Sequence, residues 1–198
     1  MEDILKLFFK KFNALNEEET KAIVAHTQLE YFKKGDVILK QGKVCDKCFF
    51  ILKGCIRRYQ QIDAKEKTTG FFLEGDPIIF YSSYINQVPS NYSLSCVEDC
   101  TLLIGTREQE LELHKKYPNI ETHLVYGLML QDYDKIDHYT TLLNSYKPQE
   151  RYLMLMKTQP EIFNRVPLLH IASFLGVTPE SYSRIRKRIM TKISDKGT

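Results

Sequence analysis

Leu168–Met190 reads LLHIASFLGVTPESYSRIRKRIM, and the fold is decided there. Leu168, Ile171, Ala172 and Leu175 recur at helical spacing and give a short helix one apolar face. Gly176 follows at once, where a helix end favours a residue tolerant of positive φ. Thr178 is then an N-cap and Pro179 a first helical residue. A second helix is expected from Pro179 to about Ile193. On it Tyr182, Ile185 and Ile189 fall on one side, ready to pack on the first helix. Glu180, Ser183, Arg184, Lys187 and Arg188 fall on the other.

An apolar back and a front of hydrogen-bonding and basic side chains suit an element that enters a DNA major groove. Arg184 has the fork for the O6 and N7 of a guanine, and Glu180 accepts from a cytosine N4. Lys187, Arg188 and Arg186 are placed to neutralise phosphates. A solvated basic helix is the plainer explanation of the charges alone. The capped turn and the two-faced pattern together argue against it.

Ile-Ala-x-x-Leu-Gly-Val-Thr-x-Glu-x-x-Ser-Arg, from Ile171 to Arg184, resembles the helix-turn-helix of the Crp–Fnr transcription regulators. The resemblance implies that Glu180, Ser183 and Arg184 read base edges, with Thr178 and Ser181 beside them at the helix start. The Glu-x-x-Ser-Arg spacing is similar to the branch that reads TTGAT-like half-sites. Pro179 stands where another branch often has an Arg, so that contact is not transferred. Double-stranded DNA, a second copy of the chain, RNA polymerase and a small-molecule effector are the partners the resemblance implies.

The chain has 198 residues, 43% hydrophobic and 27% charged, which fits one large or two small globular domains. No apolar run nears the ~18 residues of a membrane span. MEDILKLFFKKF makes a poor signal peptide, so a cytoplasmic protein is expected. Net charge is +3 but uneven: from Lys147 onward ten Lys or Arg face four Asp or Glu, a local +6. A basic module joined to a more acidic one is the footprint of nucleic-acid binding.

Five cysteines, Cys45, Cys48, Cys55, Cys96 and Cys100, make a disulfide framework a poor reading. Cys45-x-x-Cys48 with Cys55 invites a metal or redox site, but no second CxxC or paired His completes one. Small buried thiols explain these positions as well. His26, His114, His123, His138 and His170 show no metal-ligand spacing. No metal, cofactor or enzymatic activity is expected.

Upstream the pattern changes. Residues 2–12 read as an amphipathic helix and Asn16-Glu-Glu-Glu opens a second. From Leu29 the period is two. Strands are expected over Leu29–Phe32, Val37–Leu39, Cys48–Leu52, Cys55–Tyr59, Thr68–Leu73, Pro77–Ile79, Tyr92–Val97 and Thr101–Ile104, with glycine turns and a tip at Asp63-Ala64-Lys65. Gly35-Asp36, Gly42, Phe50-Ile51-Leu52-x-Gly54 and Gly75-Asp76 resemble the antiparallel, jelly-roll-like β-roll of the same family. The fold class expected is α+β: a β-roll sensor over 1–118, a dimerisation helix over 119–146, and an all-α helix-turn-helix over 147–198 lacking a full wing.

Cyclic-nucleotide binders of the family carry Gly-Glu and Arg-Ser after Gly-Asp. Counted without gaps, those pairs fall here on Ile79-Phe80 and Ser90-Asn91. No Arg or Lys occurs from Asp76 to Thr106, and a buried phosphate without a partner is costly. Cyclic AMP and cyclic GMP are therefore not the expected effectors. Phe80, Tyr81, Ser82, Ser83, Tyr84, Ser90, Asn91 and Tyr92 either line a pocket for a neutral, partly apolar molecule or fill a vestigial cavity.

Arg107–Tyr117 reads as a helix, and a longer one runs to about Asn144. Val125, Met129, Asp132, Ile136, Tyr139 and Leu143 fall at steps of four and three, a heptad seam with one acidic interruption. Lys147-Pro148 ends it. The expected function is a dimeric, sequence-specific DNA-binding transcription regulator. The alternative is a small-molecule sensor acting through protein contacts, with weak DNA binding.

Overall fold

A computed structural model of the chain describes residues 16–120 and 126–194. The helix expected over residues 2–12 lies outside them. Helix α1, Glu17–Ala25, opens with the reciprocal cap its sequence announces: Asn16 Oδ1 accepts from the Glu19 N–H, and Glu19 Oε2 from the Asn16 N–H, both at 2.9 Å.

Eight strands follow: β1 Gln28–Phe32, β2 Val37–Leu39, β3 Lys47–Lys53, β4 Ile56–Ile62, β5 Lys65–Phe72, β6 Pro77–Ile78, β7 Ser93–Cys96 and β8 Cys100–Thr106. They form two antiparallel sheets ordered β1-β8-β3-β6 and β2-β7-β4-β5, and β5 is an edge strand. The expected strands are all present, displaced by a few residues at their ends. The β4–β5 hairpin pairs Ile62 with Lys65 across Asp63 and Ala64, both at positive φ, the two-residue turn whose twist matches the strands.

Strand β3 is buried without alternation because both of its faces are covered. Phe49 and Ile51 pack inside the roll with Ile56, Phe72, Leu94 and Leu102. Phe50 and Leu52 face outward onto Ile23, Leu113 and Ile120 of the flanking helices. A near-continuous apolar run is what a strand with two covered faces requires.

The segment between β6 and β7 holds a short helix, α2, Tyr81–Asn86, which the sequence reading did not anticipate. It ends at Gln87 in the left-handed region. Helix α3, Arg107–Lys116, is capped by Thr106 with Gln109, and α4 is the single turn Pro118–Ile120. Helix α5, Tyr126–Ser145, is the long one, and Pro148 at the first turn of α6, Pro148–Thr158, marks the break after it. Helices α7 Ile162–Arg165, α8 Leu168–Phe174 and α9 Pro179–Ser194 complete the described residues. Among the described residues no helix is long and apolar enough to cross a membrane.

The last core cluster spans the β-roll and the C-terminal helices. Tyr152, Leu155, Ile162, Ile171, Ala172, Leu175, Tyr182 and Ile189 of the helical part share it with Cys55, Phe71 and Val97 of the roll. Apolar burial at about 25 cal/mol per Å² therefore ties the two parts together as well as filling each.

Candidate nucleic-acid interface

Helices α8 and α9 meet through a tight left-handed turn. Gly176 has φ +67°, the Val177 N–H donates to Ala172 O at 3.0 Å, and the Gly176 N–H donates to Ser173 O at 3.2 Å. This is the Schellman pattern, which pairs carbonyls the end of α8 would otherwise leave open. A Cβ at Gly176 would lie 3.1 Å from Arg151 Nη1 and 3.2 Å from Leu143 Cδ2, so a side chain there would also crowd these two side-chain ends. The Ser181 N–H then donates to Thr178 Oγ1 at 3.2 Å, the expected N-cap.

The two faces of α9 separate as its sequence implies. Tyr182 and Ile189 are buried at 2% and 3% exposure, with Ile185 packed beside them. Tyr182 meets the fully buried Tyr152 ring at 5.7 Å. Glu180, Ser183, Arg184, Arg186, Lys187 and Arg188 are exposed. Arg184 Nη2 donates to Ser181 Oγ at 3.1 Å, and Ser183 Oγ donates to Pro179 O at 3.0 Å. Those contacts hold Arg184 along the helix start and leave the Ser183 oxygen facing out as an acceptor. The backbone N–H at the helix start and the Thr178 hydroxyl lower the Glu180 pKa, with Arg184 adding to the effect, so Glu180 presents a carboxylate.

Helix α8 is docked on the roll through polar contacts. Ser173 Oγ accepts from the Thr68 N–H at 2.9 Å and donates to Glu66 O at 3.2 Å, pairing groups on the open edge of β5. Arg165 binds both Glu74 oxygens, at 2.7 and 2.9 Å, and Glu98 at 3.0 Å. Burial opposes ionisation of Glu74, but the Arg165 guanidinium and the Gly54 N–H outweigh it and lower its pKa. Arg151 donates to Leu143 O, Tyr146 O and Leu175 O at 2.7–2.8 Å, so one side chain closes the C-terminal ends of both α5 and α8.

The seam residues of the long helix do not all face one way. Val125 lies outside the described residues, as do the side chains of Met129 and Asp132. Ile136 is 37% exposed and its neighbour Tyr133 68%. Tyr139 instead turns inward: its hydroxyl donates to Thr68 O at 3.0 Å and its ring lies 5.0 Å from that of Phe174. Leu143 is half-buried near Gly176.

In the segment after Gly75-Asp76, Phe80 is buried and stacks on Tyr92 at 5.7 Å. Ser83 accepts from the Cys45 N–H and donates to Val88 O; Ser90 donates to Tyr92 O. Tyr81 is half-buried, and Ser82 and Asn91 are exposed. None of these residues lines the cavity of about 370 Å³ that opens between β5, α5, α6 and α8. The sequence reading missed Arg58, which reaches this region from β4. Pairing of β4 with β7 brings its guanidinium 5.0 Å from the Tyr92 ring and 5.5 Å from Phe72, at 2% exposure. Counting basic residues only from Asp76 to Thr106 could not find it; the strand order could.

All five cysteines are present as thiols. Burial pushes Cys48 and Cys55 up to about 12, far from a reactive thiolate. Among the described residues no group of His, Cys, Asp and Glu is arranged to hold a metal ion.

A β-roll, a long helix and a capped helix pair with a basic outer face thus stand in one chain, in that order. Residues 29–117 match the cyclic nucleotide-binding domain family. The c-di-GMP-responsive global regulator CLP of Xanthomonas campestris has the same fold at 15% identity, with a TM-score of 0.73 over 89% of this chain and 93% of that one. A protein of Eubacterium rectale assigned to the crp/fnr family of transcriptional regulators aligns at 18% identity and TM-score 0.69, over 93% and 88%. The catabolite activator protein of Thermus thermophilus aligns at 20% and 0.57, over 91% and 86%. No curated protein matches the chain in sequence. Residues 29–117 are thus similar to that domain family, and the chain shares the fold of these Crp–Fnr proteins, as the resemblance at Ile171–Arg184 implied. Two of these proteins are named as regulators and the third as an activator protein.

Proposed function

We propose that the protein is a dimeric, sequence-specific DNA-binding transcription regulator of the Crp–Fnr type, acting in the cytoplasm. The observation that carries this reading is α9: buried Tyr182 and Ile189 on one face, and exposed Glu180, Ser183, Arg184, Lys187 and Arg188 on the other. Glu180, Ser183 and Arg184 read base edges; Thr178 and Ser181 cap and orient them; Lys187 and Arg188 meet phosphates. Two chains joined along the exposed side of α5, around Tyr133 and Ile136, present two such helices to the inverted halves of one site.

The effector is not a cyclic nucleotide. Where the family's binders place Gly-Glu, this chain places Ile79 and Phe80, 4% and 7% exposed. Buried apolar side chains there leave no acceptor for a ribose hydroxyl. Cyclic AMP should leave both the melting temperature and DNA affinity unchanged, since a ligand stabilises only what it binds.

The test is titration of the full chain onto a labelled duplex with two inverted TTGAT-like halves, and onto a shuffled duplex at the same salt. The reading requires a preference on the order of 10³ for the first. Equal affinity for both would remove sequence recognition.

A further inference from the structure

We propose that the tip of the β4–β5 hairpin is a second DNA contact, in which Lys65 and Lys67 hold backbone phosphates of the same duplex that α9 enters. The proposal rests on the regulator reading above and adds to it a contact from the β-roll, outside the helix pair.

The hairpin is a stiff projection. Its two-residue turn at Asp63 and Ala64 joins strands that pair as far as Ile62↔Lys65, with Gln61↔Glu66 and Gln60↔Lys67 behind. It is also fixed against the helix pair. Ser173 of α8 accepts the Thr68 N–H and donates its hydroxyl to Glu66 O. Beyond those bonds the hairpin and the α8–α9 turn face each other across an open groove of about 850 Å³. Lys65 and Lys67 line it from β5, and Thr178 and Ser181 line it from the start of α9. Ser181 Oγ is the atom that accepts from Arg184 Nη2, at 3.1 Å. The groove therefore begins where the residue placed to read a guanine is held.

Charge decides the occupant. Side chains alternate along a strand, so Lys65 and Lys67 share one face, ~6.8 Å apart, and meet two phosphates rather than one. Both are exposed, and among the described residues neither side chain enters an ion pair or a side-chain hydrogen bond. Glu66, between them, is paired with Arg57 at 2.7 Å. Asp63 at the tip is the one other acid among the lining residues. Lysines on an edge strand also deter strand pairing, but Ser173 already covers part of this edge. Two ammonium groups across from two hydroxyls, beside a basic helix, suit a phosphodiester backbone. Such contacts are electrostatic and carry no sequence information.

The experiment titrates the full chain onto the duplex with two inverted TTGAT-like halves and onto its shuffled counterpart, across about 50–200 mM salt. Three variants are compared with the unaltered chain. They are Lys65→Gln/Lys67→Gln, Lys65→Arg/Lys67→Arg, and Lys115→Gln/Lys116→Gln on α3, which removes equal charge at exposed positions outside the groove. In the first variant the slope of log affinity against log salt should fall by about two, ~0.9 for each phosphate, on both duplexes. The preference between the duplexes should stay the same. The arginine variant and the α3 variant should both keep the slope. An unchanged slope in Lys65→Gln/Lys67→Gln would overturn the contact, and is the result expected if the hairpin serves a protein partner instead. An equal fall in the arginine or the α3 variant would also overturn it, by assigning the effect to hairpin packing or to net charge. Binding of neither duplex by the unaltered chain would contradict the regulator reading and this contact with it. Binding with an unchanged slope removes the hairpin contact alone.

Discussion

The reader pair and the segment from Asp76 to Tyr92 are both short, and both were read from sequence, but they yielded to it very differently. In the helix pair the turn and the caps that shape it are local. Gly176 and Val177 close α8 through carbonyls three and five residues back, respectively, and Thr178 caps α9 through the N–H three residues on. In the segment from Asp76 to Tyr92 the decisive neighbours come from elsewhere. Tyr92 meets Arg58 across a strand pair, Ser83 binds Cys45, and Asp76 binds Lys135 of α5. Local order is legible because helix and turn periodicities are written in neighbouring residues. A cavity assembled from five elements is not.

That contrast can be broken most forcefully at the reader's core. Leu175 is fully buried where α8 meets the roll and α6, and Leu175→Ala should cost about 2–5 kcal/mol in chemical unfolding. A loss under 1 kcal/mol would mean the cluster joining roll and reader is loose. Gly176→Val should cost about 1–3 kcal/mol, since it combines a positive φ with a close approach to Arg151 and Leu143. A neutral outcome would show that the turn can relax.

Arg184→Ala should weaken binding by about 1–3 kcal/mol and relax discrimination at one guanine per half-site, read by titrating single-base variants. A loss equal on every sequence would assign Arg184 to the backbone. Lys187→Ala should weaken all sequences alike and lower the slope of log affinity against log salt by about one. An unchanged slope would remove it from the phosphate contacts.

The smallest effect concerns the docking of α8. Burial, with Arg57 nearby, lowers the His170 pKa below its ordinary 6.5. Below that value the unfolded chain takes up a proton that the folded chain resists, so stability falls as pH drops through this range and is recovered above it. His170→Gln should reduce the stability difference between pH 5.5 and pH 7.5. A variant with the same difference would place the pH dependence elsewhere.

The order of elements was almost wholly readable. Strands at Val37–Leu39 and β3, the Asn16 cap, the Asp63–Ala64 tip and the break at Pro148 all followed from alternation, caps and turn residues. Helix α2 was not, because Tyr81–Asn86 carries no side-chain cap and too few turns for a periodicity to emerge. Tyr139 was read as a seam residue because a heptad count cannot say which of two neighbours a helix face meets. The structure supplies the answer in Thr68 and Phe174. Arg58 was overlooked for a related reason: it is distant in sequence from the segment it serves and adjacent only through the β4–β7 pairing.

The central claim is that α9 reads DNA sequence as one of a symmetric pair. Selection from a random DNA pool by the purified full chain, without added ligand and at one stated salt concentration, tests it most directly. The account predicts enrichment of a palindrome with TTGAT-like halves, with the enriched guanine lost when Arg184→Ala protein is used. A folded protein that enriches no sequence, or enriches the same sequences with and without Arg184, would contradict it.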